Sequence, residues 1–173
     1  MERGFQKSQG FDREIIIPIC PESKLSGIAY TDFIECLWYQ RTIQIPDSWA
    51  SQRILLHFGG VDYECEAFID GVSAGRHWGG SVSFTFDITR LVKAGAAHNL
   101  VLYVRDELRS GKQPAGKQSE RYASFVCLYT RTTGIWQSVW LEAVHLQGLR
   151  SVQITPDLDG GRFITFPIHQ SAP

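Results

Sequence analysis

Two glutamates have the residue type and the spacing of a catalytic carboxylate pair. Glu64 and Glu66 alternate along a predicted strand, so both side chains point to one face of it, about 6.5–7 Å apart at the usual rise per residue. Paired carboxylates near that distance are compatible with acid–base cleavage of a glycosidic bond. An exposed strand face that carries two glutamates is the more ordinary arrangement, and we expect no catalysis from this pair.

Other motifs that could bind a metal or take part in catalysis are incomplete. His57, His77 and His98 lie on separate strands or strand edges and lack H-E-x-x-H spacing, so we expect core or rim histidines rather than metal ligands. Residues 111–117 (GKQPAGK) match the opening of a phosphate-binding loop, but Gln118 stands where Ser or Thr would hold magnesium. We expect no Ser–His–Asp catalysis from this chain. The sequence therefore predicts no catalytic residue, no metal ligand and no cofactor.

The four cysteines do not form a C-x-x-C pair, which argues against a zinc ribbon. Cys65 alternates with apolar neighbours, so we expect it to be a buried free thiol. A disulfide between Cys20 and Cys36 remains an open alternative. No charged-then-apolar leader begins at Met1, which favours the cytoplasm over an exported location.

The composition limits the possible partners. The 173 residues carry a net charge of −1, and 20% of them are charged, which argues against a nucleic-acid binder with a basic face. No apolar run is long enough to span a bilayer, so we expect no membrane partner. Sixteen glycines and 12% aromatic residues favour β-structure, in which aromatic side chains pack well.

The elements that would position any site are strands. Period-two alternation or short apolar runs predict strands at residues 14–19, 36–45, 53–58, 63–69, 72–78, 82–86, 99–106, 135–143, 149–155 and 162–168. Asp70-Gly71 lies between two of them and predicts a hairpin. Residues 87–93 favour one helical turn, and residues 107–125 form a long polar loop of the kind that is usually functional. So many short strands indicate an all-β sandwich or jelly roll.

The stretch Tyr129–Glu142 joins this loop to a strand. Residues 129–134 are polar and carry Arg131, and the strand that follows places Trp136 and Trp140 on the face opposite its aliphatic residues. A flat indole ring can stack on a sugar, but burial in a core or a domain interface is more common for a tryptophan. We expect one of these two tryptophans to contact another part of the molecule or a further domain.

Several separated stretches, taken in order, resemble the N-terminal sugar-binding domain of glycoside hydrolase family 2, the group of β-galactosidases, β-glucuronidases and β-mannosidases. Each stretch alone is weakly specific, whereas the ordered series is specific. The stretches are residues 13–15 (REI), 21–28 (PESKLSGI), 38–41 (WYQR), 56–63 (LHFGGVDY), 70–71 (DG), 79–80 (GG), 84–89 (FTFDIT) and 130–137 (TRTTGIWQ).

The resemblance implies a galactose-binding-domain-like jelly-roll β-sandwich over residues 12–147. Residues 1–11 would form an N-terminal segment, and residues 148–173 would form a strand pair that begins a truncated immunoglobulin-like domain. The chain departs from the family in lacking the earlier strand pair built around Leu-Asn-Gly-x-Trp. The family's (β/α)₈ barrel needs roughly 250 residues, so this chain cannot hold it.

The family's two catalytic glutamates lie in that barrel and have no counterpart here, so the resemblance implies that the chain hydrolyses nothing alone. It implies a non-catalytic sugar-binding or scaffolding part of a β-galactosidase-like glycosidase, with the downstream domains and carbohydrate as partners. Arg131 is the first candidate for a substrate-rim or interdomain contact, followed by Lys117, Gln118 and Trp136. For Arg131 a structural ion pair within the domain is the alternative. A free-standing lectin-like module and a purely structural domain with homo-oligomer contacts remain alternatives for the whole chain.

Overall fold

The computed structural model describes residues 4–7 and 10–169, and its regular elements are strands and short 3₁₀ turns. This confirms the predicted all-β class. The 3₁₀ turns are Phe5–Lys7, Lys24–Ser26, Asp47–Trp49 and Leu108–Ser110. The strands are β1 (Cys36–Gln44), β2 (Arg53–Phe58), β3 (Val61–Asp62), β4 (Glu64–Ile69), β5 (Val72–Trp78), β6 (Phe84–Asp87), β7 (Ala97–Arg105), β8 (Gly134–Ile135), β9 (Val139–Val144), β10 (Leu149–Asp157) and β11 (Arg162–His169).

Two antiparallel sheets form the sandwich. One has the strand order β1-β7-β4-β5 and the other the order β6-β2-β9. Alternate residues of both sheets point inward and form one buried core, as in β2, where every second residue is buried. Fully buried core residues include Phe58, Ile69, Leu102 and Val104. Within the described part of the chain, β1 and β9 each have a neighbouring strand on one side only.

The hairpin predicted at Asp70-Gly71 joins β4 to β5. Both residues have positive φ angles, 50° for Asp70 and 83° for Gly71, which a two-residue turn between twisted antiparallel strands requires. Asp70 also accepts hydrogen bonds from the backbone N–H of Asn99 at 2.8 Å and pairs with His98 at 2.6 Å. The turn is thereby tied to the start of β7.

The predicted long strand after Gly134 is divided in two. Gly134 and Ile135 pair with β3, whereas the chain from Val139 onward pairs with β2. Between them, Trp136 N donates to Gly60 O and Gly59 N donates to Ser138 O. The interruption therefore lies opposite Gly59 and Gly60, the two glycines that separate β2 from β3. The two neighbouring segments change from one sheet to the other at the same point along their length.

Two predicted elements were wrong. Residues 14–19 form no strand, because the chain turns at Pro18 and Ile16 N donates instead to Ser26 O of the following loop. Residues 87–93 form a hydrogen-bonded turn rather than a helical turn. Asp87 ends β6, and its side chain accepts from the N–H of Thr89 at 3.0 Å, which satisfies this donor without a helix.

The ends of the described chain differ in their packing. Of the predicted N-terminal segment, residues 1–3 and 8–9 lie outside the described residues. Phe5 lies against Trp38 of β1, with 5.7 Å between ring centroids. At the other end, β10 and β11 pair with each other in a separate two-stranded sheet, and most of their side chains are exposed. Among the described residues, no helix has the length and apolar character needed to cross a bilayer.

All four cysteines are free, so the alternative of a Cys20–Cys36 disulfide is not realised. Cys65 is fully buried in the core, as predicted. Burial raises the pKa of its thiol to about 12, because the apolar surroundings disfavour the thiolate.

Candidate functional site

Arg131 is the anchor of the loop formed by residues 107–134. Its side chain is buried, with 3% of the residue exposed, and its guanidinium donates to backbone carbonyls of residues 31, 119, 121 and 122. The guanidinium also lies over the ring of Phe33, with 4.2 Å from Cζ to the ring centre. A rigid fork of five donors suits such a cluster of carbonyls. The structure thus places Arg131 inside the domain, where it holds two loop segments together.

Gln118 bridges the same loop to the sandwich. Its Nε2 donates to Asp62 Oδ2 at 2.7 Å, and its Oε1 accepts from the backbone N–H of Thr132 at 2.7 Å. The preceding residue, Lys117, is exposed and accepts through its carbonyl from Tyr129 N. Both polar ends of Gln118 are therefore occupied, whereas the ammonium of Lys117 remains in solvent.

Three buried carboxylates lie beneath the loop, on Glu22, Asp62 and Asp106. Thr133 joins two of them, since its backbone N–H donates to Glu22 at 3.1 Å and its hydroxyl donates to Asp106 at 3.2 Å. Asp106 also accepts from Gln113 Nε2 at 2.6 Å. The chain's N-terminal part, the end of β7 and the loop thus meet in one hydrogen-bonded cluster.

Burial sets the electrostatics of this acidic cluster. Removal from water raises the pKa of Asp62 to about 6, and the charge of Asp106 adds to the rise. Burial likewise raises the pKa of Glu22 and of Asp106, although their hydrogen bonds oppose it. Among the described residues, no group of three or more His, Cys, Asp or Glu side chains has the geometry of a metal site. The cluster accepts hydrogen bonds from the loop.

Trp136 is half-buried at the base of the same region. Its indole N–H donates to Gly80 O at 2.7 Å, and Gly60 lies so close that a Cβ there would approach the indole nitrogen to 2.9 Å. The contact fixes the loop after β5 against the start of the loop after β8. Trp136 therefore packs within the domain, and Trp140 is the tryptophan of this pair that is exposed, at 46%.

The loop held by these contacts presents an exposed apolar surface, which we call the rim surface. Its members are large apolar side chains that remain in solvent although the backbone beneath them is anchored. They are Tyr122, Phe125, Val126 and Tyr129, with exposed fractions between 45% and 89%. The ring of Phe125 is covered on one side by the guanidinium of Arg121, 3.6 Å from its centre.

The remaining candidates have structural partners. Glu66 is buried rather than exposed, and it accepts from Ser73 Oγ at 2.8 Å and pairs with Arg76 at 2.8 Å. The two glutamates therefore do not form an open pair on a strand face. His77 stacks on Phe84, with 3.8 Å between ring centroids.

Residues 7–144 match the family described as "Glycosyl hydrolases family 2, sugar binding domain". The chain belongs to this family.

Individual relatives of the family 2 chain agree with this assignment. It is 30% identical over 118 residues to a putative β-glucuronidase of Formosa agariphila, covering 68% of this chain and 13% of that protein. It is 26% identical over 120 residues to a β-galactosidase of Thermoanaerobacter pseudethanolicus, covering 69% of this chain and 15% of the relative. The chain thus spans about one-seventh of the length of these relatives.

Solved structures show the same fold. A β-glucuronidase from Ruminococcus gnavus in complex with uronic deoxynojirimycin superposes with a TM-score of 0.76 at 18% identity. The superposition covers 98% of this chain and 31% of that protein. A second structure of the enzyme, with a C6-substituted uronic isofagomine, gives a TM-score of 0.77. The sandwich and the following strand pair of the family 2 chain are therefore part of a known arrangement.

Sequence reasoning missed several residues that shape this family 2 site. Asp62 was visible as an acidic residue directly after buried Val61, and its position inside an apolar run was a usable signal. Glu22, Asp106 and Phe33 carried no such signal, because their contacts are with residues distant in sequence.

Proposed function

We propose that this chain is a non-catalytic sugar-binding and scaffolding domain of a β-glycosidase whose catalytic barrel is absent from it. A (β/α)₈ barrel needs roughly 250 residues, more than the whole chain has. The carboxylates of the acidic cluster are buried and accept hydrogen bonds from the loop, which supports a role in positioning rather than in bond cleavage.

The observation that carries the proposal is the anchoring of the loop by Arg131. Four backbone carbonyls and the ring of Phe33 hold its guanidinium, so the loop is fixed at its base while the rim surface stays exposed. Exposed tyrosine and phenylalanine side chains on a rigid base are typical of the centre of a protein interface. We infer that the rim surface contacts the barrel, with Lys117 at its margin as a charged contact to the barrel or to substrate.

In this proposal the four candidate residues have different roles. Arg131, Gln118 and Trp136 set the shape of the loop from within, and Lys117 contacts the partner directly. The substrate class follows from the relatives, which are named β-glucuronidases and a β-galactosidase. We propose that the complete enzyme removes a β-linked glucuronic acid or galactose unit.

Two measurements test the proposal. The coding sequence beyond Pro173 is expected to continue into an immunoglobulin-like run and a barrel, and the enzyme made from it is expected to hydrolyse an aryl β-glucuronide or β-galactoside. The purified 173-residue chain is expected to hydrolyse neither. Turnover by the isolated chain would overturn the non-catalytic role, and a stop codon at its end would overturn the scaffolding role.

A substitution in the complete enzyme tests the rim surface itself. Val126 is 89% exposed in this chain, so Val126→Asp leaves the fold intact but places a charge in the inferred interface. We expect kcat/KM to fall at least tenfold. Val82→Asp is the matched control, since Val82 is 61% exposed in a different loop. Equal activity of the two variants would contradict the contact.

A further inference from the structure

The two sheets of the sandwich are unequal at one end. At the other end they lie in step, because His77 of β5 stacks on Phe84 of β6 with 3.8 Å between ring centroids. Counted from there, β4 lies over β2 and β7 lies over β9, since the strand orders are β5-β4-β7-β1 and β6-β2-β9. Among the strands of residues 10–169, none therefore faces β1 across the core.

An open groove lies between β1 and the free edge of β9, and we call it the edge groove. It has a volume of about 1190 Å³ and is lined by residues 37–41 and 138–141. Inward-facing side chains such as Leu56 and Leu102 form its floor. Residues 10–15 also line it and belong to no strand. The groove thus reaches the core of the sandwich from one side.

Arg41 shows that the inner face of β1 is uncovered at this groove. It pairs with Leu100 of β7, and it has the same parity in β1 as Tyr39 and Ile43, whose side chains pack against the core. Inward-facing positions of a sandwich are normally apolar and buried. Arg41 instead is exposed and lines the groove. A side chain that enters the groove therefore meets the apolar residues of β1 and one guanidinium.

The free edge of β9 provides backbone groups for pairing. Gly59 N donates to Ser138 O at 2.9 Å, and the register of β9 with β2 continues from there without a shift. In an antiparallel pair, residues alternate between bonding to the neighbouring strand and pointing away from it. The backbone N–H and C=O of Leu141 and Ala143 therefore point away from β2, to a side where the structure describes no other strand.

We propose that the edge groove accepts an extended polypeptide segment from outside these 173 residues. The segment adds to the free edge of β9 as a fourth strand of the smaller sheet, and its inward side chains fill the groove against β1. Strand addition takes its affinity from main-chain hydrogen bonds and its specificity from alternate side chains. The partner therefore needs an apolar residue at every second position over a stretch as long as β9, which has 6 residues.

The charges at the groove define the partner further. Glu142 has the opposite parity from Leu141, so it lies on the outer face of β9, where its side chain is 51% exposed. Opposite charges on neighbouring strands stabilise a sheet, so we expect a basic outward residue beside Glu142. Arg41 favours a carboxylate among the inward residues. The fitting partner is an apolar-alternating strand with basic outward residues and one acidic inward residue.

A second copy of the chain is the main competing occupant, because free strand edges favour pairing between molecules. In such a dimer the two β9 edges pair with each other. The side chains of Val139 and Leu141 in the second copy, however, already pack against the core of that copy. They are not free to fill the groove beneath β1, so a dimer uses the edge and leaves the groove open. A strand whose inward side chains have no core of their own satisfies both.

Calorimetric titration of the full 173-residue chain with defined peptides tests the proposal. The probe is a short, end-capped peptide in which leucine or valine alternates with lysine, and one apolar position carries glutamate. A control peptide has the same residues with the apolar ones in a single block. We expect micromolar binding of the probe and at least tenfold weaker binding of the control. A probe whose edge-facing amides are N-methylated keeps its side chains but loses its donors, so we expect it to bind at least tenfold more weakly as well.

Ala143→Pro tests the edge itself. The N–H of Ala143 points away from β2, so proline removes an edge donor without breaking the ladder inside the sheet. We expect probe binding to weaken at least tenfold. Trp78→Pro is the matched control, because Trp78 is exposed at the end of β5, the edge strand at the other end of the sandwich. This variant is expected to bind as the parent chain does, and thermal unfolding verifies that both variants are folded.

Hydrogen exchange of the parent chain locates the peptide without any substitution. The amides of Leu141 and Ala143 are expected to exchange at least tenfold more slowly with the probe bound, and those of β6 at their original rate. Absence of binding, equal binding of the N-methylated probe, or protection elsewhere overturns the proposal. A dimer of the free chain that Ala143→Pro dissociates would show that a second copy occupies the edge and would also overturn it. The rim surface is tested by turnover of the complete enzyme, so the two proposals fail separately.

Discussion

The guanidinium of Arg131 lies over the ring of Phe33, with Cζ 4.2 Å from its centre, although 98 positions separate the two residues in the sequence. On another side of the same ring lies Arg109, with its Cζ 3.8 Å from the ring centre. Phe33 thus connects the segment before β1 to both ends of the 107–134 loop. The contact turns a long polar loop into a fixed part of the sandwich.

Replacing Arg131 with methionine is therefore expected to lower the free energy of unfolding by about 3 kcal/mol, since several buried carbonyls lose a charged donor at once. Urea denaturation followed by tryptophan fluorescence measures this change. Arg131→Lys is expected to recover less than half of the loss, because an ammonium cannot reproduce the planar fork. Arg90→Met, at an exposed arginine, is the control and is expected to stay within about 0.5 kcal/mol of the parent chain. A similar small effect at Arg131 would contradict the anchoring role.

The acidic cluster predicts a pH dependence of stability. Asp62 has a pKa of about 6 in the fold against 3.8 in the unfolded chain, so the folded state binds the proton more tightly. Its favourable contribution is complete below pH 4 and is lost as the pH rises through about 6. The difference corresponds to about 3 kcal/mol at most. We expect the contribution of this carboxyl to fall between pH 4 and 6 and to be flat above pH 7.

Asp62→Asn isolates this contribution. The amide oxygen can still accept from Gln118, but the side chain no longer ionises beside Asp106. Unfolding free energies measured at pH 5 and pH 7.5 are expected to differ less in this variant than in the parent chain. Asp159→Asn, in the exposed turn between β10 and β11, is the control and should keep the parental difference. If the unfolding free energy of Asp62→Asn changes between pH 5 and pH 7.5 as much as that of the parent chain, Asp62 is not the source of the pH dependence.

Much of the fold was predictable, because the alternation of apolar and polar residues in a strand and the residue types of a turn depend on neighbours in the sequence. The limits of β2 and β5 match the prediction, and Asp70-Gly71 forms the expected turn. The division between β8 and β9 was not predictable from alternation, since Trp136 keeps the period while its N–H bonds to Gly60, distant in sequence. The alternation of residues along one strand does not show which sheet each part of that strand pairs with.

The sequence pointed to the long loop through its length and to Arg131 through the family resemblance, but it did not give the geometry of either. The sequence could not show that Arg131 would be buried, because its partners are backbone carbonyls, which every residue carries.

Gly134 is expected to tolerate no side chain. Its φ of 76° is a conformation that favours glycine, and a Cβ there would clash with the Tyr39 hydroxyl, which accepts from Ile135 N at 3.2 Å. Gly134→Ala should lower the unfolding free energy by about 2 kcal/mol through strain and the loss of that hydrogen bond. Thermal and urea unfolding measure it. Gly116→Ala is the control: it shares a positive φ of 59° but has open space around it, so its smaller loss reports strain alone.

The cysteines are expected to differ sharply in reactivity. Burial raises the pKa of the Cys65 thiol to about 12, whereas Cys36 and Cys127 are exposed. At pH 8, iodoacetamide should modify the two exposed cysteines within minutes and leave Cys65 unmodified in the folded chain. Peptide mapping by mass spectrometry distinguishes the sites, and addition of urea should make Cys65 reactive. Fast labelling of Cys65 without denaturant would show that the core opens locally at β4.

The strand pair β10–β11 is expected to contribute little to the stability of the sandwich. Among the strands that the structure describes, these two pair only with each other, and apolar side chains such as Ile154 and Phe166 are 61% and 54% exposed. An isolated two-stranded sheet is marginal in water, so its amides should exchange with solvent much faster than those of β7. Removing residues 148–173 should leave the urea midpoint of the remaining chain within error. A large fall in that midpoint would show that the strand pair belongs energetically to the sandwich rather than to a following domain.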